Sequence, residues 1–187
     1  MTASTGPARM LRLRVSLREV EPAIWRILLI RESASLAQLH HAIQRAMGWT
    51  NSHLYEFEIG GQRVTDLETW EPFDQDDEAG DAATTRLREV KLQPGSRFTY
   101  LYDFGDNWLH DVTVEEIAPA PRGQLPALCI AGARACPPED CGGAHGYFEF
   151  LEALHNPTHP EHESCRIWAG GAFDAEAFDL GRANAAR

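Results

Sequence analysis

Four residues able to hold a metal ion follow one another in the last third of the chain. They are Cys129, Cys136, Cys141 and His145, separated by six, four and three residues. Thiolate sulfur and imidazole nitrogen are the ligands zinc prefers in a tetrahedral set. Pro137 and Pro138 stiffen the intervening loop and lower the entropy lost on closing it. A second set, His159, His162 and Cys165, falls at i, i+3 and i+6 and offers alternative ligands. Zinc is the cofactor such a set would take. The competing reading is structural, because no C-x-x-C pair is present and a thiol also packs as a small core residue.

A different chemistry gathers around Asp103, Asp106, His110 and Asp111. Carboxylates and an imidazole at a tight turn suit divalent-cation binding or acid–base work. Glu139 and Asp140, between two prolines and two glycines, could complete such a site from another part of the chain. The plainer reading is that Asp106-Asn107 makes the turn and that His110 shares the apolar face of Trp108 and Val112. His40, among Leu36 and Ile43, reads as a core histidine. Nucleophile-elbow, P-loop, zincin and dinucleotide fingerprints are absent. Asp103-Phe104-Gly105 lacks the other loops that would give it meaning in a kinase.

The elements that must position these groups read as an α+β domain. Leu11, Leu13, Val15 and Leu17 alternate with polar residues, the period of a half-buried strand, and Ile24 to Ile30 predicts its partner. Ser35 caps a helix from Leu36, with Leu36, Leu39, Ile43 and Met47 on one face and Gly48 at its end. His53 to Ile59 alternates, and Gly60-Gly61 turns it into a short strand near Val64. Thr85 to Leu92 is expected as a short helix. Phe98 to Phe104 and Trp108 to Val114 form a hairpin across Gly105-Asp106-Asn107. Five prolines between Ile117 and Gly143 predict an irregular segment. A helix carrying Tyr147, Phe150, Leu151 and Leu154 follows, and a last one is expected through Phe173, Ala177 and Leu180, capped by Asp174. Strands joined by short turns imply an antiparallel or mixed sheet built from hairpins, with helices packed on one face. The organisation expected is a disordered tail over 1–9 and one domain over 10–187, with an acidic loop at 66–83.

The 187 residues suffice for one core. The formal net charge is −11, and eight carboxylates stand between Asp66 and Asp81 without a Lys or Arg. That field opposes non-specific nucleic-acid binding. Arg9, Arg12, Arg14 and Arg18 stripe the polar face of the first strand, but no aromatic residues interleave with them. No apolar run approaches the ~18 residues of a membrane span, and Met1 to Ala8 lacks a secretory core, so a cytoplasmic protein is expected.

Several strings then coincide: Ile24-Trp25-Arg26, the helix from Leu39-His40 to Gly48-Trp49, Tyr102-Asp103-Phe104-Gly105-Asp106-Asn107-Trp108 with His110, and Cys136-Pro137-Pro138-Glu139-Asp140-Cys141-Gly142-Gly143 before Gly146-Tyr147. Trp168 with Gly170 and the Phe173-Asp174 pair complete them. From about Leu11 to about Asn184 the chain resembles the plasmid pRiA4b ORF-3-like family, also labelled as TnpR-type passenger proteins of insertion elements. The resemblance implies an α+β domain and an association with mobile elements; it brings no chemistry with it. Three readings remain. One is an accessory or binding domain, with a protein partner and a structural zinc near the cysteine loop. Another is a metal-dependent hydrolase or nuclease using Asp103, Asp106 and His110 with Glu139 and Asp140. The last is a nucleic-acid-binding accessory using the N-terminal arginines. The enzyme reading requires the 103–110 and 139–140 groups to meet at an open cleft.

Overall fold

The computed structural model describes residues 8–70, 78–121, 123, 125–171 and 173–185. Most of the expected tail, residues 1–7, and the middle of the acidic segment, residues 71–77, lie outside the described residues. Among the described residues the sheet has eight strands: β1 (Arg9–Leu17), β2 (Trp25–Arg31), β3 (Tyr55–Ile59), β4 (Gln62–Thr65), β5 (Gly80–Asp81), β6 (Arg97–Tyr102), β7 (Trp108–Pro119) and β8 (Ala127–Ala133). Their spatial order is β5-β4-β3-β6-β7-β1-β2-β8. All neighbours are antiparallel except β4 and β5, so the sheet is mixed. The hairpins β1–β2, β3–β4 and β6–β7 supply most of it, as the alternation predicts.

Alternation sets the two faces. Leu11, Leu13, Val15 and Leu17 are buried while Arg12, Arg14 and Ser16 are half-exposed. The described residues form four helices: α1 (Leu36–Met47), α2 (Gly143–His155), α3 (His162–Trp168) and α4 (Leu180–Asn184). Residues of α1, α2 and α4 join the strands in one contiguous core. α1 begins and ends as expected. Ser35 Oγ accepts from Gln38 N, Gln38 Oε1 accepts from Ser35 N, and Gly48 closes the helix at φ 98°.

Several expectations are corrected. Arg9, within the expected 1–9 tail, belongs to β1 and pairs with Pro119. The acidic segment is no free loop at its far end: Gly80 and Asp81 pair with Val64 and Thr65, and Ala82 is fully buried. The segment 85–92 is a series of turns tied to the start of α1 through Leu36 N to Thr85 O and Leu87 N to Ala34 O. β8 crosses the stretch expected to be irregular, since the residues from Ala127 to Ala133 contain no proline and pair with β2. The last helix starts later than expected, at Leu180, and Asp179 caps it in place of Asp174. In α4 the Asn184 side chain accepts from Cys129 N and donates to Cys129 O, covering one rung of the outer edge of β8.

Candidate functional site

Three connections converge at one end of the sheet. They are the α1–β3 loop around Trp49–His53, the β6–β7 turn at Asp103–Asn107, and the β8–α2 loop through Pro137–Gly142. Each is locked to the others. Trp49 Nε1 donates to Pro137 O at 3.0 Å. Glu139 accepts at Oε2 from Thr50 N and Thr50 Oγ1, and at Oε1 from the Tyr102 hydroxyl at 2.5 Å. Ser52 N donates to the same hydroxyl. Burial first, and then the Glu139 carboxylate, push the Tyr102 phenol well above its usual range, so it stays a donor. Asp106 Oδ2 accepts from Gly142 N at 3.2 Å. Gly143 permits this approach: a Cβ there would lie 2.6 Å from Asp106 O.

Within this knot stands a group of three ligating side chains, His53, Asp103 and Asp140, whose donor atoms all lie within 4.8 Å of one another. His53 Nε2 is 3.1 Å from Asp140 Oδ1 and 3.5 Å from Asp103 Oδ2. Neither oxygen stands where a hydrogen bond from Nε2 would need it, and Nε2 is shut off from solvent without a hydrogen-bond partner. Asp103 divides its work: Oδ1 accepts from Gly105 N and Asp106 N to hold the turn, leaving Oδ2 toward His53. Asp103 and Asp140 sit at φ 58° and 59°, and Asn51, two residues before His53, at 60°. Non-glycine residues in that left-handed region cost roughly 1–2 kcal/mol each, least for Asn and Asp. Asn51 is held there by Gln44 Oε1, which accepts from its N–H, and by His40, which reaches its Oδ1.

The group stands between two clefts. His53 lines one of about 710 Å³ together with His41, Asn51, Asp66, Glu68 and Asp81. Asp140 lines another of about 510 Å³ with Cys141, Glu149, Phe150, His159 and Trp168. The Asp140 side chain is 72 % exposed, so of the three ligands this one faces solvent.

The expected site residues are therefore partly reassembled. Asp103 and Asp140 meet, with Glu139 and Asp106 as their supports. His110 does not join them. It is fully buried, opposite Tyr100 on the adjacent strand, and donates from Nδ1 to Tyr100 O. Burial holds its pKa down at about 4. Strand alternation turns its side chain into the core. Asp111 is on the solvent side, paired with Arg18. His53, the imidazole that does arrive, carried no signal beyond opening the alternation from His53 to Ile59.

The expected cysteine–histidine set does not assemble. No three of Cys129, Cys136, Cys141 and His145 bring donor atoms within 4.8 Å of one another. Cys129 on β8 points its Sγ at Ala131 O, and His145 is exposed beside Glu149. Burial raises all three thiols above their usual range, Cys141 to about 12, which keeps them protonated. Of the alternative ligands, His159 Nδ1 accepts from Glu161 N, His162 Nδ1 donates to Ala153 O, and Cys165 lies in α3. The arginine stripe is likewise engaged. Arg9 faces Glu32, Arg12 pairs with Glu115, Arg18 with Asp111, and Arg14 stacks on Trp25 at 4.4 Å. Among the described residues no helix is long and apolar enough to cross a membrane.

Comparison with known proteins reaches nearly the whole chain. A family model described as plasmid pRiA4b ORF-3-like protein matches residues 9–182. The uncharacterized protein y4hQ of Sinorhizobium fredii is 40% identical over 185 residues, which cover 96% of this chain and 91% of that protein. The crystal structure of a protein of unknown function, MM3350 from Methanosarcina mazei Go1, superposes with a TM-score of 0.82 at 33% identity, covering 94% of this chain and 98% of that one.

Proposed function

The chain belongs to the plasmid pRiA4b ORF-3-like family, and from that premise we propose that it is a divalent-cation-dependent protein whose ion is held by His53, Asp103 and Asp140. The convergence of one imidazole and two carboxylates from three separate loops carries this reading. An ion with bonds of about 2.1 Å holds adjacent ligands roughly 3 Å apart, and the observed nitrogen–oxygen separations are 3.1 and 3.5 Å. One nitrogen and two oxygens form a mixed donor set suited to zinc or manganese more than to calcium. Structural zinc sites close four protein ligands around the ion; here there are three, one of them largely exposed. Water would fill the remaining positions, and a cation lowers the pKa of such a water toward neutrality, which favours hydrolysis over a purely structural role.

The test is elemental mass spectrometry of protein purified without a metal-affinity tag, followed by calorimetric titration of the metal-stripped chain with Zn²⁺ and Mn²⁺. About one ion per chain is expected. His53→Ala, Asp103→Asn and Asp140→Asn should each weaken it beyond the roughly 10–100-fold typical of outer-shell changes. Replacing Cys129, Cys136 and Cys141 by Ser should leave affinity unchanged. Binding that follows the cysteines instead, or no binding in the folded protein, sinks the assignment.

A further inference from the structure

A recess of about 230 Å³ lies where the C-terminal end of α1 meets residues 177–183. In a chain of formal net charge −11 its lining includes three arginines, Arg26, Arg45 and Arg182. Among the described residues one acid lies on its wall, Asp179, engaged at Oδ1 in capping α4 through Arg182 N.

Arg26 is 3% exposed. Its Nε donates to Ala46 O, its Nη1 to Trp25 O and Ala133 O, and its Nη2 to Arg134 O, all between 2.8 and 2.9 Å. Every one of these acceptors is a backbone carbonyl, and no carboxylate contacts it among the described residues. A guanidinium has five N–H donors, so one on Nη2 is left over. Its face lies 4.6 Å from the Phe178 ring, and Gly132 makes the room, since a Cβ there would stand 2.6 Å from Phe178 and 2.8 Å from Arg26 Cδ. Carbonyl dipoles stabilise a buried cation without neutralising it, and desolvation still costs several kcal/mol. Arg45 is half-exposed and Arg182 exposed, and among the described residues neither side chain makes an ion pair or hydrogen bond.

We infer that this recess binds a small oxoanion, a phosphate or carboxylate group, gripped by Arg45 and Arg182 above the buried charge of Arg26. The ligand supplies the counter-charge that the fold withholds from Arg26. Guanidinium groups suit this task because their planar forks match the oxygens of both anions. The inference is independent of the cation site, with which it shares no residue.

The full chain, stripped of metal, is titrated separately with orthophosphate and acetate by calorimetry, at constant ionic strength set with chloride. Saturable binding of either is expected. It should weaken about tenfold in Arg45→Gln or Arg182→Gln, and about a hundredfold in the double variant. Both positions are at the surface, and an unchanged circular-dichroism spectrum verifies that the variants fold. Which anion binds identifies the class. No saturable binding of either anion, or binding that persists in the folded double variant, overturns the proposal and leaves Arg26 as a structural staple alone.

Discussion

Tyr102 ties the candidate cation site to the sheet through a single oxygen. Its hydroxyl donates to Glu139 and accepts from Ser52 N, so it spans the loops that carry Asp140 and His53. Tyr102→Phe removes both bonds while keeping the ring against Trp49. The expected cost is about 1–3 kcal/mol of stability, with divalent-ion affinity lowered about tenfold. Chemical denaturation and ion titration check the two effects separately; unchanged ion affinity would show that Glu139 does not position Asp140. At this scale the sequence was half legible. Asp103, Asp106, Glu139 and Asp140 stand out because turn chemistry and a Pro–Gly frame mark them. His53 does not, because fifty positions separate it from Asp103 and the two regions meet through tertiary pairing, β3 against β6 and Asp103 N to Leu54 O. His110 looked the better ligand for being near in sequence, yet strand alternation sends it inward.

Loops make the site, and glycines decide how closely the loops meet. Gly143, at φ 69°, lies against Asp106 O. Gly143→Ala should push the Asp103–Asn107 turn away from the 139–142 loop, destabilising the protein by about 1–3 kcal/mol and weakening ion binding. Gly95→Ala is the control: the position has φ 90° but open space around it, so it carries the backbone strain without the collision. Equal ion affinity in the two variants would argue against the close approach as the determinant. Elements with local signals were readable in advance. α1 carries a capping box and a left-handed terminal glycine, and β6–β7 alternates cleanly about a turn. β8 was hidden by the prolines that bracket it, because proline density hides a short proline-free strand. α3 has no buried residue, so no apolar periodicity announced it.

Two histidines couple the whole fold to pH. His40 Nδ1 pairs with the Tyr100 hydroxyl and Nε2 with Asn51 Oδ1, its ring stacked on Tyr55 at 3.6 Å. Burial lowers His40 to about 3 and His110 to about 4. In the unfolded chain both titrate near 6.5. Below that value the unfolded state binds more protons, so stability falls as pH drops, by about 1.4 kcal/mol per pH unit for each histidine until the folded values are reached. Urea midpoints measured from pH 7 to pH 5 should decline accordingly; a flat profile would mean that the two rings are not buried in neutral form. The α+β architecture was legible because hairpin pairing and one amphipathic helix suffice to specify it. Asn184 brings the sheet to a finish. Its amide presents to Cys129 the same donor and acceptor that a neighbouring strand would offer, so at that rung the final helix stands in as a one-residue ninth strand. A strand arriving from another molecule finds the rung already taken, and α4 thereby opposes edge-to-edge pairing at that point of β8.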